Sequence, residues 1–296
     1  MPEWTVSGPE KISFDQAVSG LQVRTVGGTV NVVATEGPAR LEVAELDGVP
    51  LQVTLVDGVL TVGYPDLAWR DLSWQQLSGK GLSAFVDSWR RKRHAVVSVA
   101  VPADARVEVG TVTADAVVSG IDGRVTVRSV GGDIALVRVA GPVEVNSLSG
   151  GVDAQTVSGD LRVHTVSGDL TVVEGTAAKL SANSVTGSMT VDLDGRGPAD
   201  VRLTTVSGEV AVRVPQPADT EVEAGTNSGQ VSSAFEELRL GGSWGAKRLS
   251  GRLGAGTGRL QVTTVSGSVA LLRRPPADEP EDTAPGLDLT KEGDKA

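Results

Sequence analysis

Two kinds of side chain recur in this chain often enough to raise the question of chemistry. The first is a hydroxyl three residues ahead of a glycine, at Thr25, Ser129, Ser147, Thr156, Thr165, Ser184, Thr205, Thr226 and Thr264. A row of nucleophiles would need a base beside each, and no repeated base accompanies them. A hydroxyl at a bend has a simpler use, which is to satisfy a backbone group there, and that is the reading adopted. The second is an acid directly after such a glycine, at Asp133, Asp160, Asp169 and Glu209. Repeated acids invite comparison with calcium-binding β-rolls, whose loops supply several ligands per turn. One acid per turn is too few, so no metal site is assigned. Aligned carboxylates also raise a polysaccharide-acting β-helix enzyme. That chemistry needs a cleft with sugar-stacking aromatics, and the repeats hold almost none.

The other chemical residues are few. There are two histidines, His94 and His164, and no cysteine. Metalloprotease, nucleophile-elbow and phosphate-loop motifs are absent. Strand parity turns His164 outward, toward solvent. No catalytic residue and no cofactor are therefore assigned.

One stretch stands apart. Between Tyr64 and His94 lie Trp69, Trp74, Phe85 and Trp89, followed by Arg90, Arg91, Lys92 and Arg93. The spacing fits short helices broken at Ser78-Gly-Lys-Gly81. Apolar bulk followed by a basic cluster can dock on an anionic membrane surface or a protein partner. The same tryptophans could instead cap the end or side of a fold. These eight residues form the candidate interaction surface.

Whatever positions these groups must obey the glycines. Gly132, Gly141, Gly150, Gly159 and Gly168 follow one another at nine-residue intervals. Between them runs one phrase, as Val125-Thr-Val-Arg-Ser-Val-Gly-Gly-Asp-Ile134, Val143-Glu-Val-Asn-Ser-Leu-Ser-Gly-Gly-Val152 and Leu161-Arg-Val-His-Thr-Val-Ser-Gly-Asp-Leu170. It returns at Leu180–Gly187, Val201–Gly208, Val222–Gly229 and Leu260–Gly267, with a divergent early copy at Leu21–Gly28. Self-similarity at a fixed period names the architecture before any other feature does.

Alternation inside the phrase argues for strands. Leu161 and Val163 share one face, and Arg162 and His164 the other. Val166, Leu170 and Val172 form a second apolar series, offset by one, so the chain bends near Thr165. Both strands then face a shared interior, and Ser167-Gly168-Asp169 makes the turn. The expected fold class is all-β, a β-solenoid with about 18–21 residues per coil and about 4.8 Å between coils. The spacings from Gly132 to Gly229, of 18, 18, 19, 21 and 21 residues, predict coils stacked in sequence order. The 38 residues from Gly229 to Gly267 then fit two coils with one degenerate turn.

The organisation expected is four-part. Residues 1–62 are N-terminal strands leading into the solenoid, including a β-hairpin at Leu51–Val62 with Asp57-Gly58 at its turn. Residues 63–94 are the Trp-rich basic insertion, and 95–272 the repeats, interrupted by a looped-out corner or distorted coil between Phe235 and Leu249. Residues 273–296 read as a disordered acidic tail, with seven acids against two lysines from Pro275 onward.

Composition agrees. Aromatics make up 3% of the 296 residues and there are 37 glycines, which suits thin aliphatic rungs. The net charge of −10 speaks against nucleic acid as a partner. The amino terminus has neither a basic n-region nor an apolar h-region, and no apolar run matches a membrane span, so a cytoplasmic location is expected.

The repeated Thr-Val-Ser-Gly-Asp-Leu phrase resembles the bacterial β-strand-repeat family known by the label "putative adhesin", a domain of unknown function, over about Leu21 to Leu272. The resemblance implies a β-solenoid with a binding or scaffolding role and transfers no catalytic residue. The function expected is non-enzymatic binding or scaffolding, toward an unknown protein partner or toward itself. Two alternatives stand beside it: a cytoplasmic polymer resembling bactofilins, and the carbohydrate-active enzyme already weighed. An uncapped final coil near Val262 to Leu271 would permit polymer stacking.

Overall fold

The repeated phrase folds into two short strands joined at a corner. The computed structural model describes residues 2–64, 93–194, 199–243 and 245–274. Its strands, in chain order, begin with β1 (Glu3–Val6), β2 (Glu10–Phe14), β3 (Gly20–Thr25), β4 (Gly27–Ala34), β5 (Ala39–Gly48), β6 (Leu51–Val56), β7 (Val59–Gly63) and β8 (Arg93–Val101). The regular coils follow as β9 (Arg106–Thr111), β10 (Asp115–Ser119), β11 (Val125–Ser129), β12 (Ile134–Val137), β13 (Val143–Ser147), β14 (Val152–Gln155), β15 (Leu161–Thr165) and β16 (Leu170–Gly175). Then come β17 (Lys179–Thr186), β18 (Met189–Leu193), β19 (Asp200–Ser207), β20 (Val210–Val214), β21 (Thr220–Ser228) and β22 (Val231–Ser233). The last are β23 (Arg239–Ser243), β24 (Ala246–Leu253), β25 (Gly258–Ser266) and β26 (Val269–Arg273). No helix occurs among the described residues.

Odd and even strands of the regular coils separate into two facing sheets, of 14 and 12 strands. Pairing between coils is parallel, with Val125 beside Val143 and Val143 beside Leu161, so the register equals the sequence repeat. This is the expected β-solenoid. Alternation supplies the core: Val143 and Val145 from one sheet meet Val152 and Ala154 from the other, all buried. A third corner contributes a further buried row, Ile121, Val139 and Val157. That row was not anticipated, because its residues follow the turn after the second strand and break the parity of both.

The nine-residue beat has a steric cause. Each coil carries glycine at two of its corners, and these stack on the same corners of the coil before. A Cβ on Gly150 would overlap the carbonyl oxygen of Gly132, and one on Gly159 would overlap that of Gly141. Coils at about 4.8 Å leave no room there for a side chain. Gly150 also has φ +102°, a conformation that L-residues resist.

One expectation about faces is corrected. Leu170 and Val172 point inward as expected, but Val166 does not. It belongs to an outward row on the corner between the sheets, in which Val185, Val206 and Val265 are 46%, 47% and 46% exposed. The bend lies just after Thr165, so Val166 is the first residue of the corner itself and escapes strand parity.

Antiparallel strands close both sheets at the amino-terminal end and the first sheet at the other, where the second sheet ends on the parallel strand β22. The hairpin β6–β7 forms as read, with Asp57 and Gly58 both at positive φ, and β1 pairs onto β6. In the other sheet β2 and β5 run antiparallel beyond β8. Trp4 packs edge-on against Phe14, ring centroids 5.3 Å apart. At the far end, Phe235 and Leu238 lie over the core, and 239–253 is an antiparallel hairpin, β23–β24, where a looped-out corner or distorted coil was expected.

The stacking order there is also corrected. β25 lies between β19 and β21, and β26 between β20 and β22. The coil around Val262 to Leu271 is therefore interior and offers no free end for stacking. A solenoid ladder pairs backbone with backbone, so any coil of the right length fits any slot.

Candidate functional site

The repeated hydroxyls form the ladder expected, buried along one edge of the core, but Thr25, Thr165, Thr226 and Thr264 find no hydrogen-bond partner among the described residues, where each was expected to satisfy a backbone group. Ser147 Oγ donates to Ser149 O at 2.9 Å, Ser184 Oγ to Thr186 O at 3.0 Å, and Thr111 Oγ1 to Ser129 Oγ at 2.9 Å. Thr111 belongs to this row although its phrase is too worn to show it. Thr156 does not: it lies on the third corner, exposed, at φ +53°. Arg138 and Glu174, one coil on either side, share that backbone, with φ of +51° and +53°. A second hydroxyl row ties coil to coil from outside, as Ser167 Oγ donates to Leu148 O at 3.2 Å.

Turn acids are used in the same way. The backbone N–H of Gly151 donates to Asp133 Oδ1 at 2.8 Å, that of Ser188 to Asp169 Oδ1 at 2.7 Å, and that of Asp133 to Asp115 Oδ1 at 2.9 Å. Each of these carboxylates caps the start of the strand stacked on its own in the next coil and is committed to the stack. His164 is exposed beside Asn183, and His94 lies 3.7 Å from Glu45 on the surface.

Of the candidate interaction residues, Trp69, Trp74, Phe85, Trp89, Arg90, Arg91 and Lys92 lie outside the described residues. Arg93 opens β8 and is buried, 6% exposed, with its guanidinium 5.2 Å from the centre of the Tyr64 ring. It is thus a structural part of β8, where a place in an exposed basic cluster was expected. Because β7 pairs with β3 and β8 with β4, Tyr64 and Arg93 flank the same corner that elsewhere carries the outward valines.

The outer face of the first sheet holds a row in which arginines alternate with glycines. Near the amino-terminal end Arg24 sits between Gly63 and Gly110. Burial pulls its guanidinium below the ordinary arginine value, with Glu108 opposing the shift. Near the other end Arg248 sits between Gly225 and Gly241. Here the missing side chains leave a groove of about 620 Å³ on the outer face.

The groove's walls come from the neighbouring rung, Gln261, Glu223, Ser250 and Arg239, brought side by side by β25, β21, β24 and β23. Arg248 pairs with Glu223 at 3.6 Å. Gln261 Oε1 accepts from Arg202 Nε at 3.1 Å, which leaves its amide N–H groups to face the groove. Arg239 is exposed and makes no hydrogen bond or ion pair among the described residues. Two guanidiniums against one carboxylate give the groove a net positive charge within an acidic chain. Sequence reasoning missed it, though a signal was present. Gly225 stands at an outward strand position where other copies of the phrase carry Arg128, Asn146 or His164, and a strand glycine marks either close approach or open space.

Residues 113–272, more than half of the chain, match the family model described as Toastrack DUF4097. No curated protein matches the chain. Solved structures similar to it include a "putative cell adhesion protein" from Clostridium sporogenes, 10% identical, covering 90% of this chain and 100% of that one, with TM-score 0.25. A "putative lipid binding protein" from Parabacteroides distasonis is 9% identical, with 90% and 97% covered and TM-score 0.33. A "putative adhesin" from Parabacteroides merdae is 12% identical, with 89% and 95% covered and TM-score 0.34.

Proposed function

The chain belongs to the Toastrack DUF4097 family, and on that premise we propose that it is a non-enzymatic binding module whose ligand surface is the groove over Gly225 and Gly241. The observation behind this is the contrast between the groove and the repeats. Along the repeats, the hydroxyls of Ser147 and Ser184 bond to backbone carbonyls within their own corners, and the carboxylates of Asp133 and Asp169 to backbone N–H groups of the next coil. In the groove, the free guanidinium of Arg239, the amide of Gln261 and the hydroxyl of Ser250 converge on open space of about 620 Å³, within the usual range for ligand sites. The surplus positive charge favours an anion, with carboxylates held by Arg239 and Arg248 as charge-assisted hydrogen bonds.

Titration calorimetry with oligogalacturonate and with a glutamate-rich peptide tests the reading. Binding should weaken with salt and be lost in Arg239→Ser, and chromatography should recover each probe uncleaved. Absence of binding by both probes at low salt, or binding indifferent to Arg239→Ser and Arg248→Ser, would overturn it. The Trp-rich segment, rooted at Tyr64 and Arg93, is proposed as a second contact surface.

A further inference from the structure

Three copies of the phrase, at Val201–Gly208, Val222–Gly229 and Leu260–Gly267, compete for neighbouring places at the carboxy-terminal end. The last copy takes the middle one. In the first sheet Leu260 pairs with Val201 on one side and Val222 on the other, and Thr264 with Thr205 and Thr226. In the second sheet Val269 lies between Val210 and Val231. Coil 258–273 is thus wedged between two coils that precede it in the chain. Its apolar residues Leu260, Val262, Val269 and Leu271 are 1–2% exposed.

This arrangement makes the coil a removable insert. Among the described residues no strand follows β26, so withdrawing the coil unthreads none of them. Its remaining tie is the short link from β24, in which Gly254 and Gly256 have φ of +56° and +69° and Asp219 Oδ1 accepts from the Ala255 N–H at 2.7 Å. That link must cross over the start of β21, because β24 and β25 flank it. An empty slot would leave unpaired edges facing each other in both sheets, an arrangement that recruits any matching strand. The contacts that fill it are between coil and slot and do not depend on which chain supplies the coil.

We infer that coil 258–273 is exchangeable between two copies of this chain, giving a twofold dimer in which each slot holds its partner's coil. Every contact of the monomer is kept, and only the link changes conformation, which is the condition for domain swapping at low cost. A tight link favours exchange when it is strained. Gly256 is the place to apply strain: a Cβ there would lie 2.7 Å from the Arg252 side chain, on a positive-φ backbone. The inference rests on strand order and is independent of the groove reading.

The chain has no cysteine, so engineered thiols report cleanly. Ala211 and Ala270 are register partners on the outward face of β20 and β26, at a spacing that admits a disulfide. Full-length Ala211→Cys and Ala270→Cys chains are unfolded in urea, refolded together at high concentration and oxidised. Expected is a disulfide-linked dimer from the mixture and from neither variant alone, increased severalfold by adding Gly256→Val. Light scattering after size exclusion should show the same rise in dimer without any thiol. Mixed chains that stay unlinked, together with Gly256→Val chains that remain monomeric, would overturn the inference. The double variant linking only within one chain at every concentration would do the same.

Discussion

The glycine beat should be separable into two physical parts by three alanine substitutions. Gly159→Ala adds a methyl where the carbonyl of Gly141 already stands, on a backbone that alanine can adopt. The expected loss is the cost of overpacking, about 1–3 kcal/mol, because the two coils must part locally and lengthen their hydrogen bonds. Gly150→Ala meets the same obstruction from Gly132 and must also hold φ +102°. Strained backbone of that kind adds about 1–3 kcal/mol, for a total of about 2–6 kcal/mol. Gly241→Ala is the control, since nothing lies within 4 Å of the position its Cβ would take. It should stay within about 0.5 kcal/mol. Urea titration reads all three, with midpoint and slope compared together because a repeat array can lose part of its stack before the rest. The order expected is Gly150, then Gly159, then Gly241. Equal shifts at all three, or a silent Gly159→Ala, would refute the claim that stacking distance dictates the beat.

Other outcomes follow from the same geometry. Ser147→Ala removes a buried donor from the Ser149 carbonyl and should cost about 1 kcal/mol, whereas Thr165→Val, at a buried hydroxyl with no partner, should leave the urea midpoint unchanged or raised. Thr156→Gly relieves a positive-φ residue of about 1–2 kcal/mol but adds glycine's own entropy of about 0.5–1 kcal/mol, so the net effect should be neutral to stabilising by about 1 kcal/mol in the same titration. Arg93→Ser should lower the thermal midpoint by removing the contact over Tyr64, worth about 0.5–2 kcal/mol. With anionic vesicles at low salt, the expected result is no co-sedimentation, because the contact surface is proposed for a protein partner. Salt-sensitive binding lost on changing Arg90, Arg91 and Lys92 to Ser would instead assign the Trp-rich segment to a membrane surface.

The sequence by itself determined the repeating unit. Alternation in Leu161-Arg-Val-His, the interval between glycines, and Asp57-Gly58 in the hairpin are local signals, and each maps onto one local geometry that sterics allow. The hydroxyl row was legible for the same reason, but only the structure showed that Ser147 and Ser184 reach a carbonyl while Thr25, Thr165, Thr226 and Thr264 do not. Only the tertiary structure decided which way Val166 points, because a corner residue obeys neither strand's parity. Only it showed that Arg93 belongs to β8, since a basic residue ending a basic run looks the same in sequence whether it faces water or the Tyr64 ring. It alone set the coil order, placing Leu260 between Val201 and Val222. Coils that carry one phrase present nearly the same backbone edge and the same aliphatic rung, so sequence cannot rank their neighbours. The groove shares that origin. Gly225, Arg239, Arg248 and Gln261 meet because the chain overshoots, turns back through the β23–β24 hairpin and returns to fill the gap. That path is set by packing at the end of the stack, where the phrase has no further copy to specify it.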